Sequence, residues 1–538
     1  MSWPQRYDPL GSSVWSTAVA ALPIVALLGS LAWLRIRAPL AALAGLIVSV
    51  AVAILVIGMP VGMALTSAAL GAAYGLLPIG WIVLNVVFLY QIVERRGLLD
   101  ALRRGVSGVT DDRRLQLLLV AFSVGAFMEG AAGFGTPVAV TGGILIALGF
   151  KPLEASGLAL IANTAPVAFG ALGTPIIALQ GVTGLDLYAL SAQVGHQLPV
   201  FSVIVPFWLI WAYAGWRGML EVWPAVLVAG VSFAVPQFLV ATLHGPWLVD
   251  IVAAACSMAC LVAFLKIWRP AWTSAVPSGR SAAPERQCLA RMEEVPGKAW
   301  VPWIVLTVLV FAWGIPQVKA ALNGLSAPKL PVPGLHNLVE RAPPVVAVLT
   351  AEPAVFTLNW LSATGTAILL TALITAAFLR YGLRELALTW LSALRRARAS
   401  LLTISLMLAL GYVTRYSGED AILGLAFAQT GFLYPFFGTM LGWLCVALTG
   451  SDTSSNVLFG SLQTITARQL GLDPVLMAAA TSSGGVMGKM IDAQSIVVAG
   501  TVTNSDGQEG TILRYVFFHS VALASLMGVL VMLQAYVL

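Results

Sequence analysis

Charge is what this sequence has least of. Only 10% of its 538 residues are Asp, Glu, Lys or Arg, against about 25% in an ordinary soluble domain. That shortfall excludes a soluble globular fold. Cysteine is equally scarce: Cys256 and Cys260 share one helix face, Cys445 falls in an apolar run and Cys288 in a loop, so no disulfide framework is expected. The histidines, His196, His244, His336 and His519, follow no HExxH or other metal-ligand spacing. His196 is expected in a loop and His519 on a helix face. No metal or cofactor is expected, and Ser451 beside Asp452 has no histidine nearby to complete a nucleophilic triad. The chain does not read as an enzyme. Its net charge of +6 reads as loop charge that sets orientation in a lipid bilayer, with no nucleic-acid partner.

What is there instead is hydrocarbon, with 59% of residues apolar. A helix needs about 20 apolar residues to cross roughly 30 Å of bilayer core, which gives roughly 12–14 crossings or half-crossings here. The expected fold class is an all-α polytopic membrane protein, a single integral membrane domain over residues 1–538. Arg6 and Asp8 balance each other before the first apolar run, which ends in Arg35 and Arg37 without a small-residue cleavage pattern. The segment reads as uncleaved.

Within this apolar chain, Asp452 stands alone, since residues 421–451 and 453–467 contain no formal charge. Such a residue is costly in hydrocarbon and points to function, the bland reading being a helix-end acid that reaches the interface. Glu129 has the same standing in EGAAGFGTPVAV. From each acid the chain runs at nearly the same distance to L-G-x-x-P, Leu148 to Pro152 and Leu470 to Pro474. Each landmark leads through another apolar segment into a second polar, glycine-rich break, at residues 163–175 and 482–495. This is an internal two-fold repeat, with cores at about 115–185 and about 433–505. Paired broken segments of this kind mark a transporter binding site.

The Arg-rich loops fix a topology. Arg35 and Arg37, the cluster from Arg95 to Arg114, the loop at about 266–298 and the cluster Arg380, Arg384, Arg395, Arg396 and Arg398 all fall on the cytoplasmic face if the N-terminus is outside. Spans are read at residues 200–214 and 401–413, the latter leading to an outer loop with Arg415, Glu419 and Asp420. If 421–432 does not span, the two repeats are inverted.

A helix broken inside a membrane exposes N–H and C=O groups that only protein or a water-filled cavity can satisfy. Its N-terminal ends favour an anion. Thr453, Ser454, Ser455, Asn456, Asn163 and Thr164 add neutral hydrogen-bonding groups, and Gly133, Gly135, Gly484, Gly485 and Gly488 let backbone approach a ligand. Lys489 is the lone cation of this zone, a counter-ion for a carboxylate or an internal partner of Asp452 or Asp492. Glu129 is the expected proton carrier, and Asp452 the counter-ion of Lys489.

The stretches EGAAGFGTPVAV, GFKPLEASGLALIANTAPVAFGALGTPI, GSDTSSNVLFG and GGVMGKMIDAQS closely resemble the bacterial L-lactate permease family, which includes glycolate permeases; the likeness covers nearly the whole chain. The resemblance implies a symporter of short 2-hydroxy monocarboxylates (lactate, glycolate) with protons, multi-pass in the cell inner membrane, in an inverted-repeat fold with broken or re-entrant helices. Its oligomeric state is left open. Thr136, Gln494 and Ser495 join the substrate-binding set, and Asp492 joins Glu129 and Asp452 in coupling. The chain departs from the family at Asp492-Ala493, where relatives carry Ser-Pro, and at His196, where they carry Arg. A sodium-coupled dicarboxylate carrier would share the broken repeats, whereas a channel would show a continuous polar stripe.

Overall fold

The computed structural model describes residues 2–32, 34, 36–98, 109–131, 133, 136–268, 297–503, 505 and 508–537. Among these, ten helices are long and apolar enough to cross a bilayer, or up to twelve if each of two bent pairs is one span. The chain is an all-α, multi-pass membrane protein, and shorter half-helices supply the remaining apolar segments. In chain order the elements used below are α1 (Ser13–Leu31), α2 (Ala38–Leu55), α3 (Val61–Arg95), α4 (Arg113–Ala131), α5 (Thr136–Ala147), α6 (Pro152–Ala162), α7 (Gly170–Thr183), α8 (Leu187–Glu221), α9 (Trp223–Leu243) and α10 (Val249–Ile267). They continue with α11 (Val301–Gly314), α12 (Thr364–Phe378), α13 (Leu383–Ser417), α14 (Glu419–Phe427), α15 (Tyr434–Thr449), α16 (Asp452–Gln469), α17 (Pro474–Gly488), α18 (Ala493–Val502) and α19 (Glu509–Tyr536).

Two helices show how polarity sorts the chain. On α9, Leu227, Val231, Val235, Leu239 and Leu243 recur every four residues down one face and are all exposed. Its other face is buried and also apolar, apart from Gln237. A helix with apolar residues on its outer face belongs against hydrocarbon. By contrast α16, which begins DTSSN, is buried from Asp452 through Ala467. It packs against α7, α13, α14, α15 and α17, which keep its polar groups out of lipid.

The L-G-x-x-P landmarks are the same turn made twice. Gly149 (φ 83°) and Gly471 (φ 68°) end α5 and α16 in the left-handed region that glycine adopts without strain. Phe150 N–H donates to the Leu145 carbonyl at 3.0 Å, and Leu472 N–H to that of Ala467 at 2.8 Å. Pro152 and Pro474 then open α6 and α17 at positions where no N–H is needed.

The two ends of the bundle are built differently. At one end β1 (Trp3–Pro4) pairs in parallel with β3 (Val339–Arg341), which pairs with β4 (Thr350–Ala351), while β2 (Lys329–Pro331) pairs with β5 (Val355–Thr357). The N-terminal segment and residues 329–357 therefore share a face. Gln5 Nε2 ties that segment to the carbonyls of Arg415 and Tyr416, at 2.9 and 3.0 Å. At the other end Arg96 meets Glu385 at 3.0 Å, and Arg396 meets Glu94 at 3.5 Å. Helix α13 connects the ends. Its 35 residues span about 52 Å at 1.5 Å per residue, well beyond the hydrocarbon.

This corrects several expectations. Arg384, Arg395, Arg396 and Arg398 lie on α13 and not in a loop, and His196 lies on the 35-residue α8, because both helices run far past the stretches read as spans. Glu419 and Asp420 are buried at the start of α14 instead of lining an outer loop: Ser49 and Ser417 donate to Glu419, and Ser461 to Asp420. Arg114 is buried against Asp112 and Glu221, at 2.8 and 2.6 Å. Most of the loop at 266–298, with Cys288, and Arg35, Arg103 and Arg104 lie outside the described residues.

The end that carries the small sheets is locked by Glu352, which pairs with Arg415 at 2.5 Å and Arg341 at 2.8 Å. Burial pushes its carboxyl up, but the two guanidinium groups outweigh burial and hold it below the ordinary glutamate range. A depressed pKa contributes stability that is full above the unfolded value and is lost as pH falls through the folded one. Glu352→Gln is thus expected to cost about 3 kcal/mol at neutral pH. In thermal unfolding of the detergent-solubilised protein, the gap to the unsubstituted chain should be constant above the ordinary glutamate value of about 4.3 and narrow progressively as pH falls below it; a gap that does not narrow on acidification refutes the assignment.

Candidate functional site

Four breaks converge on the middle of the bundle. After α4 the chain turns through Gly133 (φ 59°) before α5. Between α6 and α7 it bends by 64°. Ala171, Leu172 and Gly173 there hold φ of 44°, 57° and 77°, unusual for residues with a Cβ. Helix α15 ends at Gly450 (φ 72°), and Ser451 caps α16 by accepting from Ser454 N–H at 3.2 Å. Helix α17 runs into a short turn, Lys489–Ile491, and Asp492 caps α18 by accepting from Ser495 N–H at 2.8 Å. Glu129 and Asp452 sit on opposite sides of their breaks, one on the last turn of α4, the other at the first residue of α16.

The acids are held by neutral donors. Asp452 Oδ2 accepts from Ser482 Oγ at 2.5 Å and from Asn456 Nδ2 at 3.5 Å, while Oδ1 has no partner among the described residues. Gly485 makes room for it, since a Cβ there would stand 2.3 Å from Oδ1. Glu129 Oε2 accepts from Asn163 Nδ2 at 3.1 Å, and Gly170 leaves space for Oε1 in the same way, at 2.5 Å. Asn456 Nδ2 also donates to the Pro175 carbonyl at 3.1 Å, which stitches α16 to the start of α7.

Lys489 is buried and donates to the Gly450 carbonyl at 2.6 Å, and its ammonium lies 3.2 Å from Asp492 Oδ2. Among the described residues the acid in salt-bridge contact with Lys489 is therefore Asp492, three residues along the same turn, and not Asp452. Glu129 and Asp452 remain within electrostatic reach of Lys489.

The expected residues thus divide. Ser455 and Thr164 hydroxyls donate to the carbonyls of Gly442 and Ile161, at 3.2 and 2.7 Å, and so serve the backbone. Thr453 and Ser454 are buried in the first turn of α16. Gln494 is exposed, whereas Ser495 is buried with its Oγ unpartnered. Gly135 and the side chain of Thr136 lie outside the described residues. Two groups escaped the sequence reading. Ser483 is buried with an unpartnered hydroxyl beside Ser482. Asp250, in the first turn of α10, is 1% exposed with both oxygens unpartnered among the described residues, and it packs where a Cβ on Gly130 would come within 2.7 Å of its own. The clue was an isolated acid at the head of an apolar run, the signal that marked Asp452.

A buried polar atom without a hydrogen bond costs about 1–3 kcal/mol. Here Asp452 Oδ1, Asn456 Oδ1, Asn163 Oδ1, Ser483 Oγ and Ser495 Oγ are all of that kind, clustered at the breaks. Such a set suits a small ligand that both donates and accepts.

Comparison with known proteins places this geometry in context. The family described as L-lactate permease matches residues 16–538. The chain is 45% identical to the glycolate permease GlcA of Escherichia coli (strain K12), over 100% of this chain and 99% of that protein. It is 44% identical to the L-lactate permeases of Salmonella typhimurium (strain LT2), covering 100% of this chain and 98% of that protein, and of Bacillus subtilis (strain 168), covering 100% and 99%. Among solved structures, MtrF of Neisseria gonorrhoeae aligns over 88% of this chain and 84% of its own at 14% identity, with a TM-score of 0.46.

Proposed function

The chain belongs to the L-lactate permease family, and from that premise we propose that it takes up L-lactate, D-lactate and glycolate across the cytoplasmic membrane in symport with protons. The observation that carries the reading is the buried cluster of Lys489, Asp492 and unpartnered polar atoms at the helix breaks. The Lys489 ammonium has three N–H donors; the Gly450 carbonyl and Asp492 engage it without exhausting them. A substrate carboxylate takes what remains. The 2-hydroxyl then donates to Asp452 Oδ1 or Asn456 Oδ1 and accepts from Ser483.

Charge balance calls for a coupled cation, and buried carboxyl groups free of a cationic partner suit a proton. One cation among the described residues, Lys489, faces Glu129, Asp452 and Asp492, and Asp250 adds its charge beside Glu129. Adding an anion to that set in a low-dielectric interior is unfavourable unless a cation enters with it. Glu129, Asp250 and Asp452, none paired with a cation at hydrogen-bond distance among the described residues, are the groups to hold that proton. A dicarboxylate would need a second cation, and Lys489 is already shared. The function is transport, without an enzymatic step. The two repeats are read as inverted, with the site at their interface.

The substrate claim is tested by exchange in proteoliposomes loaded with unlabelled lactate. Labelled lactate should exchange, glycolate should compete, and succinate should not; competition by succinate alone points to a dicarboxylate carrier. Orientation follows from the shared face of the N-terminus and residues 329–357, opposite the Arg-rich end of α13. Lys329→Cys is expected to react with a membrane-impermeant maleimide in intact cells, and Arg398→Cys only after permeabilisation. The opposite pattern inverts the topology.

A further inference from the structure

Above the central site lies a second place where a carboxylate fits. A cavity of about 360 Å³ opens between α3, α7, α13 and residues 353–359, lined among others by Tyr74, Gln180, Asn359, Tyr412, Arg415 and Tyr416, within the size of small-molecule sites. The three tyrosine hydroxyls are spent, donating to the carbonyls of Val355, Gly181 and Pro353 at 3.1, 3.1 and 2.9 Å. The guanidinium of Arg415 is not. Of its five N–H donors, two go to Glu352 Oε1, at 2.8 and 2.5 Å, and one to the Val182 carbonyl at 3.0 Å. Two remain. The Gln180 and Asn359 side-chain amides have no protein partner among the described residues, so the cavity combines a cation with neutral donors.

Local charge points the same way. Glu352 is shared between Arg341 and Arg415, with Arg468 within reach, and the cavity lining among the described residues holds the Arg415 cation and no carboxylate. A lining with a cation and no acid attracts an anion. Position gives it a role. Helix α7 supplies Gln180 to the cavity and, at its start, the Pro175 carbonyl that holds Asn456. Five residues of helix separate them, about 8 Å at 1.5 Å per residue.

We propose that this cavity is an outer encounter site for the transported carboxylate, in which Arg415, Gln180 and Asn359 bind the anion before it passes along α7 to Lys489. The proposal rests on the lactate reading above. Arg415 also ties the end of the bundle together, so its replacement risks the fold; Gln180→Leu with Asn359→Leu removes the two neutral donors and keeps side-chain size.

The test is a saturation-transfer NMR titration of the purified protein with L-lactate, from micromolar to tens of millimolar. Two sites per chain are expected, the weaker one at least about tenfold weaker again in Gln180→Leu/Asn359→Leu, the loss of one or two hydrogen bonds to a charged group. The tighter site should be unchanged there and lost in Lys489→Ala. A single site per chain, or a weak site unmoved by the double substitution, overturns the outer site while the lactate reading stands. No lactate binding at all removes both.

Discussion

Lys489→Ala is expected to weaken lactate binding at least about 100-fold, about 3 kcal/mol, while the protein still inserts and elutes as a single species. The size follows from the environment. Lys489 is the cation of the central cluster, 7% exposed, with Asp492 at 3.2 Å. Truncating one member of a buried ion pair costs about 3–5 kcal/mol, because it leaves an uncompensated charge behind. That contribution is separable. In Lys489→Ala with Asp492→Asn the orphaned carboxylate is gone, so thermal stability should recover toward that of the unsubstituted chain, but lactate binding should not. Recovery of binding by the double variant would mean that Lys489 only neutralises Asp492. Calorimetric titration with lactate reads the affinity of each variant.

The second large effect separates coupling from binding. Glu129→Gln is a neutral isostere of the protonated acid, and its amide can still meet Asn163. Lactate exchange should stay within about threefold, under 1 kcal/mol, whereas accumulation driven by a proton gradient should fall to the level seen without one. Asp452→Asn should lose both. Its amide oxygen can replace Oδ2 and accept from Ser482 and Asn456, but the NH2 then stands where Oδ1 stood and removes the acceptor offered to the substrate hydroxyl. Intact proton-driven accumulation by Glu129→Gln would pass the coupling proton to Asp452, Asp250 or Asp492.

Much of this site was legible because an intramembrane charge is expensive enough to stand out in the sequence. Asp452, Glu129 and Lys489 announced themselves as isolated charges, and the repeated L-G-x-x-P marked two turns that fold alike, Gly149 and Gly471 both left-handed. Pairing was not legible. The sequence offers Lys489 either Asp452 or Asp492, and only the tight turn after Gly488 decides that Asp492 receives it. Nor can spacing tell which hydroxyls are spent: Ser455 serves the Gly442 carbonyl, while Ser483, absent from the expected set, is left without a partner. The basic residues of α13 were read as a loop because hydropathy ends where the bilayer does, although the helix continues as long as its residues favour one. Asp250 stands at the head of an apolar run, where the sequence alone fits an acid that reaches the interface at a helix end; only its burial shows otherwise.

The central claim, uptake of a short 2-hydroxy monocarboxylate coupled to protons, is tested most directly in proteoliposomes of the purified protein under imposed ion gradients. An inward proton gradient should drive accumulation of labelled lactate and glycolate above the external concentration, a protonophore should abolish it, and an inward sodium gradient at equal pH should drive none. Sodium-driven accumulation that is indifferent to the proton gradient, or accumulation of succinate in place of lactate, would contradict the account.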